Sequence, residues 1–389
     1  MTHSLRRVAL VAAAATALGL SACGGDLSSG TTSGGGGGTA AAGDIKLGML
    51  TPLSGGEAAI GPYMKNGAQL AVDEINAAGG VNGRKLTLTV EDEACDAKTA
   101  AAGAAKLVTA GIHISVGGYC SSATLPTLTV FKNADIPMLI PAANSADLLK
   151  GKLPNVFLIN GTGIQQAAKA ADFIKAQGAK AVALVDDNTS YSKDITTRTG
   201  ENLKAAGITI ASAQSVTKGE SDYSGAVTAV LRANSDFVYW TGYFQEGGLI
   251  IKQLKAAGFT GKIMVADGSV DKQLVSIAGN ATAQGVYATM TQTPTTIPGG
   301  EAWIAKYKAK FGAEPGPYST QSYDAVRIAA EAVKGAGGST KGADVIKALE
   351  AINGFKIFSG NLKFTPEHTL SEGGFEILVV KGEDFVLNK

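Results

Sequence analysis

The chain has 389 residues, of which 45% are hydrophobic, so it can bury the cores of two domains of ordinary size. Its 34 Lys and Arg residues against 33 Asp and Glu residues give a net charge of +1. This balance argues against a nucleic-acid partner, because proteins that hold a phosphate backbone carry an excess of basic residues. The longest apolar run, residues 8–20, is shorter than the roughly 20 residues that a membrane-spanning helix needs.

The N-terminal sequence is typical of an export signal. Two arginines precede the apolar run, and the sequence L-S-A-C follows it. The pattern resembles a bacterial lipoprotein signal, with residues 1–22 as signal peptide and Cys23 as the lipidated first residue of the mature chain. A plain secretory signal with an incidental cysteine is the alternative. Residues 23–43 are rich in Gly, Ser, Thr and Ala and predict a flexible tether.

Two further cysteines, Cys95 and Cys120, remain after Cys23 is set aside. An even number of cysteines in an exported and therefore oxidising context predicts a disulfide between them. Two buried free thiols are the alternative.

From residue 45 onward one sequence pattern recurs. It consists of an Ala- and Lys-rich stretch typical of a helix, a glycine, and then a short run of aliphatic residues. The glycines stand where a helix C-cap with positive φ belongs, and they are Gly79, Gly111, Gly178, Gly207 and Gly258. The runs that follow lack polar alternation, as in a sheet covered on both faces. The pattern predicts an α/β protein with parallel sheets.

The predicted strands fall into two groups, which predict two Rossmann-like lobes. The first group is 45–51, 86–92, 113–117 and 137–141; the second is 180–185, 209–215, 236–241, 262–266 and 285–290. Polar segments near 155–163, 291–300 and 368–374 predict three crossings, and therefore a three-strand hinge with a ligand cleft. We assign residues 44–163 and 291–372, with helices near 301–311, 318–335 and 342–352 and a strand near 361–365, to the first lobe, and residues 164–290 and 373–389 to the second.

Signatures of catalysis and of cofactors are missing from the sequence. It contains no phosphate-binding loop, no G-x-S-x-G elbow and no G-x-G-x-x-G fingerprint. His113 and His368 are too far apart in sequence to suggest a paired metal site. Neighbouring acids at the ends of predicted strands are more often solvated or capping than an acid/base pair. We therefore expect a protein that is not an enzyme and that needs neither metal nor cofactor.

Polar and aromatic residues collect at the carboxyl ends of the predicted strands. Ser121 and Ser122 open a helix, whose N-terminus attracts an anion such as a carboxylate, although a plain serine cap is the alternative. Ala142 offers a carbonyl and Asn144 an amide at the end of the next strand.

In the second group of strands, Tyr191, Tyr243 and Asp267 follow three of the strand ends. Taken singly, the tyrosines could be rim or core residues. Taken together with the residues of the first group, they predict an anion site, acceptors for a cation, and aromatic walls.

Seven segments in this order resemble the type I periplasmic binding proteins for leucine, isoleucine and valine, which feed branched-chain amino acid ABC importers. The segments are IKLGMLTPLSG, AVDEINAAGGVNGRKLTL, DEACDAKTA, GGYCSSATLP, IPMLIPAANSADL, DFVYWTGYFQEG and ADGSVDKQLVSIAG. The resemblance extends from about residue 45 to the C-terminus. Its most specific parts are the cysteine pair, the C-S-S-A-T turn and the N-A-A-G-G-V-N-G-R-K helix end.

The resemblance implies roles for individual residues. Ser121 would bind the α-carboxylate of an amino acid, and the Ala142 carbonyl would accept from its α-ammonium. Tyr191 and Tyr243 match the tyrosines of the family's second lobe.

Three positions depart from the family pattern. Asn144 replaces a threonine, Asp267 replaces the glutamate that binds the ammonium, and Ile60 stands where an aromatic residue covers the ligand side chain in similar proteins. The residues that the resemblance assigns to the ammonium and carboxylate of the ligand keep the chemical character of the family's residues. An aliphatic amino acid therefore remains the expected ligand.

The sequence therefore predicts an extracytoplasmic, lipid-anchored monomer that binds an amino acid and delivers it to an ABC permease and its ATPase. One alternative keeps the fold and binds an aromatic acid, a short amide, urea or a sugar; a sugar is disfavoured because only Trp240 and Trp303 could stack on its ring. Two others are an anchored extracellular enzyme and a sensory ectodomain.

Overall fold

The structure is a computed structural model, and it describes residues 43–389. The predicted signal peptide, the lipidation site Cys23 and nearly all of the tether lie outside the described residues. Those expectations therefore stay predictions. Within the described range, no helix is both long enough and apolar enough to cross a membrane.

The first sheet has five strands, all parallel, in the order β2-β1-β3-β4-β5. The strands are β1 Ile45–Thr51, β2 Leu86–Asp92, β3 Ile114–Ser115, β4 Met138–Ile140 and β5 Val156–Leu158. Four of them coincide with predicted strands. The fifth lies in the segment that the sequence analysis assigned to a crossing, because three apolar residues between polar ones give too short a pattern to mark a strand.

The second sheet has seven strands in the order β14-β13-β10-β9-β8-β6-β7. They are β6 Ala181–Asp186, β7 Thr209–Ser215, β8 Phe237–Trp240, β9 Lys262–Val265, β10 Tyr287–Met290, β13 Glu376–Lys381 and β14 Asp384–Leu387. Every residue of β8 is buried, as expected for a strand covered on both faces.

The sheets are parallel as predicted, except at one edge of this second sheet. Strands β6 to β10 are mutually parallel, but β13 pairs antiparallel with β10, and β14 pairs antiparallel with β13. The β13–β14 pairing has a local reason, because these strands are joined by only two residues, and such a tight connection permits only antiparallel pairing.

Twelve helices accompany the strands in the described part of the chain. They are α1 Ile60–Ala77, α2 Ala97–Thr109, α3 Ser121–Asn133, α4 Gly163–Ala176, α5 Ser190–Ala205, α6 Ser224–Arg232, α7 Phe244–Ala256, α8 Lys272–Ala278, α9 Asn280–Ala283, α10 Glu301–Phe311, α11 Ser319–Gly335 and α12 Gly342–Ala351. The five predicted cap glycines all have positive φ, between 71° and 100°, which confirms that they end their helices.

The chain passes between the two sheets three times. It leaves the first sheet after β5 and enters α4, which packs on α5; after β10 it returns to α10 and α11, which pack against α1; and it passes back before β13. The predicted strand near 361–365 is β12 Gly360–Lys363, which pairs with β11 Asn353–Ile357 in a separate hairpin. We use "first lobe" and "second lobe" for the parts built on the first and second sheets.

Candidate ligand-binding site

Asp267 lies two residues after the end of β9, at the carboxyl edge of the second sheet, and it is only 2% exposed. Its Oδ1 accepts hydrogen bonds from the Tyr191 hydroxyl at 2.5 Å and from Gln166 Nε2 at 2.8 Å. Both donors belong to helices that cover the second sheet. Because Asp267 follows the end of β9, its carboxylate lies at the edge of the sheet where open α/β sheets bind ligands.

The other oxygen of Asp267 faces the first lobe. Oδ2 accepts from the Tyr318 hydroxyl at 2.7 Å and from Asn144 Nδ2 at 3.4 Å. Burial raises the pKa of Asp267 above its ordinary value, while the bonds from the two tyrosines and Gln166 oppose that effect. One buried carboxyl group thus has partners in both lobes.

Four tyrosine rings surround this carboxylate: Tyr119, Tyr191, Tyr243 and Tyr318. The ring of Tyr119 lies 5.5 Å from that of Tyr318 and 5.9 Å from that of Tyr243, and Tyr243 lies 5.4 Å from Tyr191. Burial raises the pKa of all four hydroxyls well above the ordinary value of 10.0. They therefore act as neutral donors and apolar walls around neutral pH.

Ser121 and Ser122 occupy the first turn of α3, but neither is its cap. The cap residue is Cys120, which makes no side-chain capping bond. The fully buried Ser121 Oγ accepts from the Ser145 backbone N–H at 3.3 Å, and Ser122 Oγ accepts from the Ser190 N–H of the second lobe at 2.9 Å. The alternative of a plain serine cap is therefore wrong.

The candidate ammonium acceptors of the first lobe are the Ala142 carbonyl and Asn144, of which Asn144 contacts Asp267. The Ala142 carbonyl accepts from Asn160 Nδ2 at 2.9 Å and keeps a second lone pair. Asn144 Nδ2 donates to Gln166 Oε1 at 3.0 Å, whereas Asn144 Oδ1 is buried without a described partner. A buried acceptor without a donor favours a ligand that supplies one.

The two lobes touch along the cleft, so the structure represents a closed arrangement. The Ser190 hydroxyl donates to Asp147 at 2.7 Å, and the Ala146 backbone N–H donates to Asp194 at 3.0 Å. These contacts join the 3₁₀ turn after β4 to the N-terminal part of α5.

An additional contact between two ionisable side chains, Lys218 and Glu57, spans the cleft beside Tyr243. Lys218 Nζ lies 3.3 Å from Glu57 Oε1 and 4.3 Å from the centroid of the Tyr243 ring. Glu57 is fully buried, and burial raises its pKa from 4.5 to about 8, more than the Lys218 ammonium lowers it. Glu246 and Asp187 lie near enough to raise it further. No sequence pattern marked this group.

Cys95 and Cys120 are bonded to each other in the structure, with Cα atoms 5.2 Å apart. The neighbouring Glu93 is fully buried and accepts from the backbone N–H groups of Cys120 at 2.8 Å and Tyr119 at 3.2 Å. These three side chains are close enough to hold a metal ion. Sulfur atoms joined in a disulfide are not thiolate ligands, however, so two of these three groups are unsuited to bind a metal ion.

Seven of the predicted ligand residues lie around the cleft. The eighth, Ile60, is buried at the start of α1 in the same apolar cluster as Ala142, Tyr191 and Tyr243. The sequence analysis missed Gln166 and Tyr318. Tyr318 precedes α11 in a left-handed conformation, with φ of 62°, and Gln166 is in the first turn of α4. Neither position follows a strand, and a strand end was the signal that identified the other residues.

Two α/β lobes connected by three chain segments, with a buried polar site between them, define a two-lobed ligand-binding protein. The family model described as "Periplasmic binding protein" matches residues 44–383. The chain therefore belongs to the periplasmic binding protein family.

Individual relatives extend this assignment. The chain is 32% identical over 340 residues to the leucine-, isoleucine-, valine-, threonine- and alanine-binding protein of Pseudomonas aeruginosa, covering 87% of this chain and 90% of the relative. Its structure is similar to that of the branched-chain amino acid transporter substrate binding protein LivJ of Streptococcus pneumoniae in complex with isoleucine, with a TM-score of 0.80 at 26% identity, covering 89% and 100% of the two chains.

A third similarity concerns the fold alone. The solute binding protein of an R. palustris ABC transporter, solved in complex with benzoate, matches with a TM-score of 0.80 at 19% identity and covers 89% of this chain and 95% of that one. Since the same fold accompanies different ligands, the ligand must be argued from the site.

Proposed function

We propose that this protein is an extracytoplasmic receptor that binds an aliphatic, branched-chain L-amino acid and delivers it to an ABC permease driven by its ATPase. It acts by binding and release and catalyses no reaction. The observation that carries the proposal is Asp267, a buried carboxyl group at the cleft with donors from both lobes. The relatives that bind branched-chain amino acids support the same ligand class.

The α-ammonium of the ligand would bind between the lobes. Asp267 supplies a carboxylate, Asn144 Oδ1 an unpartnered acceptor, and the Ala142 carbonyl a free lone pair. An ammonium has three N–H donors, so it matches this set in number and in charge. A ligand with a carboxylate but no ammonium would place like charge beside Asp267, which disfavours simple carboxylic acids.

The α-carboxylate would bind at the N-terminus of α3. Backbone N–H groups in the first turn of a helix have no partner within the helix, and the helix dipole favours an anion there. The Ser121 hydroxyl adds a donor, because it can donate its own O–H while its oxygen accepts from the Ser145 N–H. The apolar side chain would contact the surrounding tyrosine rings, with Tyr243 among them.

A ligand held by Ser121 and Asp267 contacts both lobes at once. Only a ligand with higher affinity for the closed state shifts the balance from open to closed. This geometry therefore explains how binding would produce the closed form that a transporter can recognise.

Ligand identity can be tested directly. Mass spectrometry of the molecule released from freshly purified protein should find leucine, isoleucine or valine. The same three amino acids should raise the unfolding temperature, because a ligand that binds only the native state adds about 2.7 kcal/mol at 100 times its Kd. Benzoate, urea and short amides form the comparison panel, and chemical turnover of any of these compounds would contradict a pure receptor.

We further propose that Cys23 anchors a monomer to the membrane surface through lipid. Intact mass should show a lipidated chain that begins at Cys23, and Cys23→Ser should release the protein from the membrane fraction. A lipid-free wild-type chain would support the secretory alternative.

A further inference from the structure

The first residue of α5 is held across the cleft by residues of the first lobe. The Ser190 backbone N–H donates to Ser122 Oγ at 2.9 Å, and the Ser190 carbonyl accepts from Ser145 Oγ at 3.2 Å. The Ser190 hydroxyl donates to Asp147 Oδ2 at 2.7 Å. One residue of the second lobe therefore uses its N–H, its carbonyl and its hydroxyl to bind the first lobe. We call Ser122, Ser145 and Asp147 the docking cradle.

The bond from the Ser190 N–H belongs to the closed arrangement of the lobes. Thr189 is the cap residue of α5, and its hydroxyl accepts from the Ser192 N–H. The Ser190 N–H is at the first position of the helix, where it has no partner within the helix. Among the described residues its acceptor is Ser122, in the other lobe. Separation of the lobes would expose this N–H to water, so the bond contributes to closure and not to the fold of the second lobe.

The docking cradle adjoins the residues that the proposed function assigns to the ligand. Ser122 follows Ser121, and the Ser145 N–H donates to Ser121 Oγ at 3.3 Å. Ser190 precedes Tyr191, whose hydroxyl reaches the buried carboxylate of the candidate site. Each lobe therefore docks through a residue that is next to one of its own ligand residues.

Ser121 and Ser122 differ in the lobe that their hydroxyls contact. Ser121 is fully buried and accepts from a backbone N–H of its own lobe, whereas Ser122 accepts from a backbone N–H of the opposite lobe. We infer that Ser122 and Ser190 are positioning residues, which hold the lobes closed around a ligand whose carboxylate binds at Ser121. This inference rests on the proposed function and adds to it the residues that stabilise the closed state.

Positioning residues and ligand contacts have different effects on affinity. A bond made only between the lobes changes the fraction of closed molecules, so its loss weakens the binding of every ligand by the same factor. Loss of a ligand contact weakens only the ligands that use that contact. Leucinol has the ammonium and side chain of leucine but a hydroxymethyl group in place of the carboxylate, so a comparison of the two compounds separates the two roles.

Calorimetric titration of the mature chain with leucine and with leucinol tests the inference. Ser122→Ala should weaken the binding of both compounds by the same factor, about 2-fold to 10-fold, the range for a neutral hydrogen bond. Ser121→Ala should weaken leucine binding more than leucinol binding. A loss in Ser122→Ala that is confined to leucine would make Ser122 a ligand contact, and an unchanged leucine affinity would exclude it from closure. Either result overturns the inference.

A proline at position 190 tests the same bond from the other lobe, with leucine alone. Proline has no N–H and suits the first position of a helix, and Thr189, with ψ of 160°, already has the extended conformation that proline requires of the residue before it. Ser190→Pro should weaken leucine binding more than Ser190→Ala, because it removes the N–H and places a ring carbon against Ser122 Oγ. When Ser122→Ala is added, the difference between the two substitutions should shrink, and an undiminished difference would contradict the contact.

The matched control for the side chain is Ser224→Ala. Ser224 opens α6 as Ser190 opens α5, but its hydroxyl donates to Asp222 at 3.0 Å within the second lobe. Ser190→Ala should weaken leucine binding about tenfold, the lower end for a hydrogen bond to a charged group, because Asp147 is partly exposed. Ser224→Ala should leave leucine binding unchanged, and equal losses in the two variants would assign both to the fold of the second lobe.

The outcome for the wild-type chain separates this inference from the proposed function. A wild-type chain that binds no amino acid would overturn the proposed function, and this inference with it. Leucine binding by the wild-type chain that persists unchanged in Ser122→Ala and Ser190→Ala would overturn this inference alone.

Discussion

We expect ligand binding to depend most on Asp267, because its side chain is buried and receives donors from both lobes. Removing one member of a buried charge pair costs about 3–5 kcal/mol, since the other charge is left uncompensated. Asp267→Asn should therefore weaken amino acid binding by roughly 10² to 10³-fold, as measured by calorimetric titration.

The matched control for this change is Asp186→Asn. Asp186 is also buried, and its Thr196 and Lys193 partners belong to its own lobe. Both substitutions should lower the unfolding temperature, but Asp186→Asn should keep wild-type affinity. Wild-type affinity in Asp267→Asn would mean that the ligand ammonium binds elsewhere or that the ligand has none.

Glu57 should make the stability of the folded protein depend on pH, and the direction of its pKa shift fixes the direction of that dependence. Its pKa is raised in the folded protein to about 8 from 4.5, so between these values the folded state holds a proton that the unfolded state has lost. The contribution of Glu57 to the free energy of unfolding is therefore fully present below pH 4.5 and is lost as the pH rises through about 8. Glu57→Gln should flatten this decline in thermal melts over that window.

The matched control for the pH experiment is Glu220→Gln. Glu220 is exposed and lies two residues from Lys218 in the same loop, so its substitution changes the net charge by the same amount. It should leave the pH profile unchanged. An unaltered profile in Glu57→Gln would assign the decline to other buried acids, of which Glu93 has a pKa raised to about 7.

At the scale of elements, the disulfide joins the segment after β2 to the start of α3. Cys95 has a left-handed backbone, with φ of 52°, and Cys120 is the cap residue of the helix that carries Ser121. Thiol counting on the denatured chain should find no free thiol in residues 44–389 before reduction and two afterwards. Two reactive thiols without reduction would contradict the bond.

Loss of this disulfide should also lower the stability of the fold. The closed loop spans a sequence separation of 25 residues, for which chain entropy predicts about 3 kcal/mol of stabilisation. Reduction should therefore lower the unfolding temperature of the mature protein.

Elements with a strong local pattern were predicted almost to the residue. Strands β1, β2 and β7 and helix α10 have the predicted bounds, because long apolar runs or cap signals define them. Strands β5 and β11 were not found, since short strands depend on the pairing that long-range packing provides. The antiparallel direction of β13 also depends on long-range packing, because the chain pairs this strand with β10 only after it returns to the second sheet.

The sequence predicted those residues of the candidate site that follow the ends of strands. Asp267 and Tyr191 follow buried strands, so the rule for parallel sheets located them. Gln166 and Tyr318 reach Asp267 from positions 101 and 51 residues away in sequence, and no local pattern encodes such contacts. The Lys218 contact with Glu57 depends in the same way on closure of the two lobes.

At the scale of the whole molecule, affinity depends on contacts between the lobes as well as on contacts with the ligand. Asp194 in α5 accepts from the Ala146 N–H of the first lobe at 3.0 Å, and its other oxygen pairs with Arg198 at 2.7 Å within the helix. The bond to Ala146 exists only while the lobes are together. A residue that holds the closed state increases the fraction of molecules competent to retain ligand.

Asp194→Ala should therefore weaken amino acid binding roughly 10-fold to 100-fold although Asp194 does not touch the ligand, since a hydrogen bond to a charged group contributes about 1.5–3 kcal/mol. Asp172→Ala, at an exposed position on α4, is the matched control and should bind normally. Calorimetric titration gives the affinity, and small-angle scattering at saturating leucine should still show the compact form, because the variant shifts the balance between open and closed states but does not alter the binding site. If Asp194→Ala lowers the unfolding temperature and leaves the affinity at the wild-type value, the bond stabilises the fold and has no part in closure.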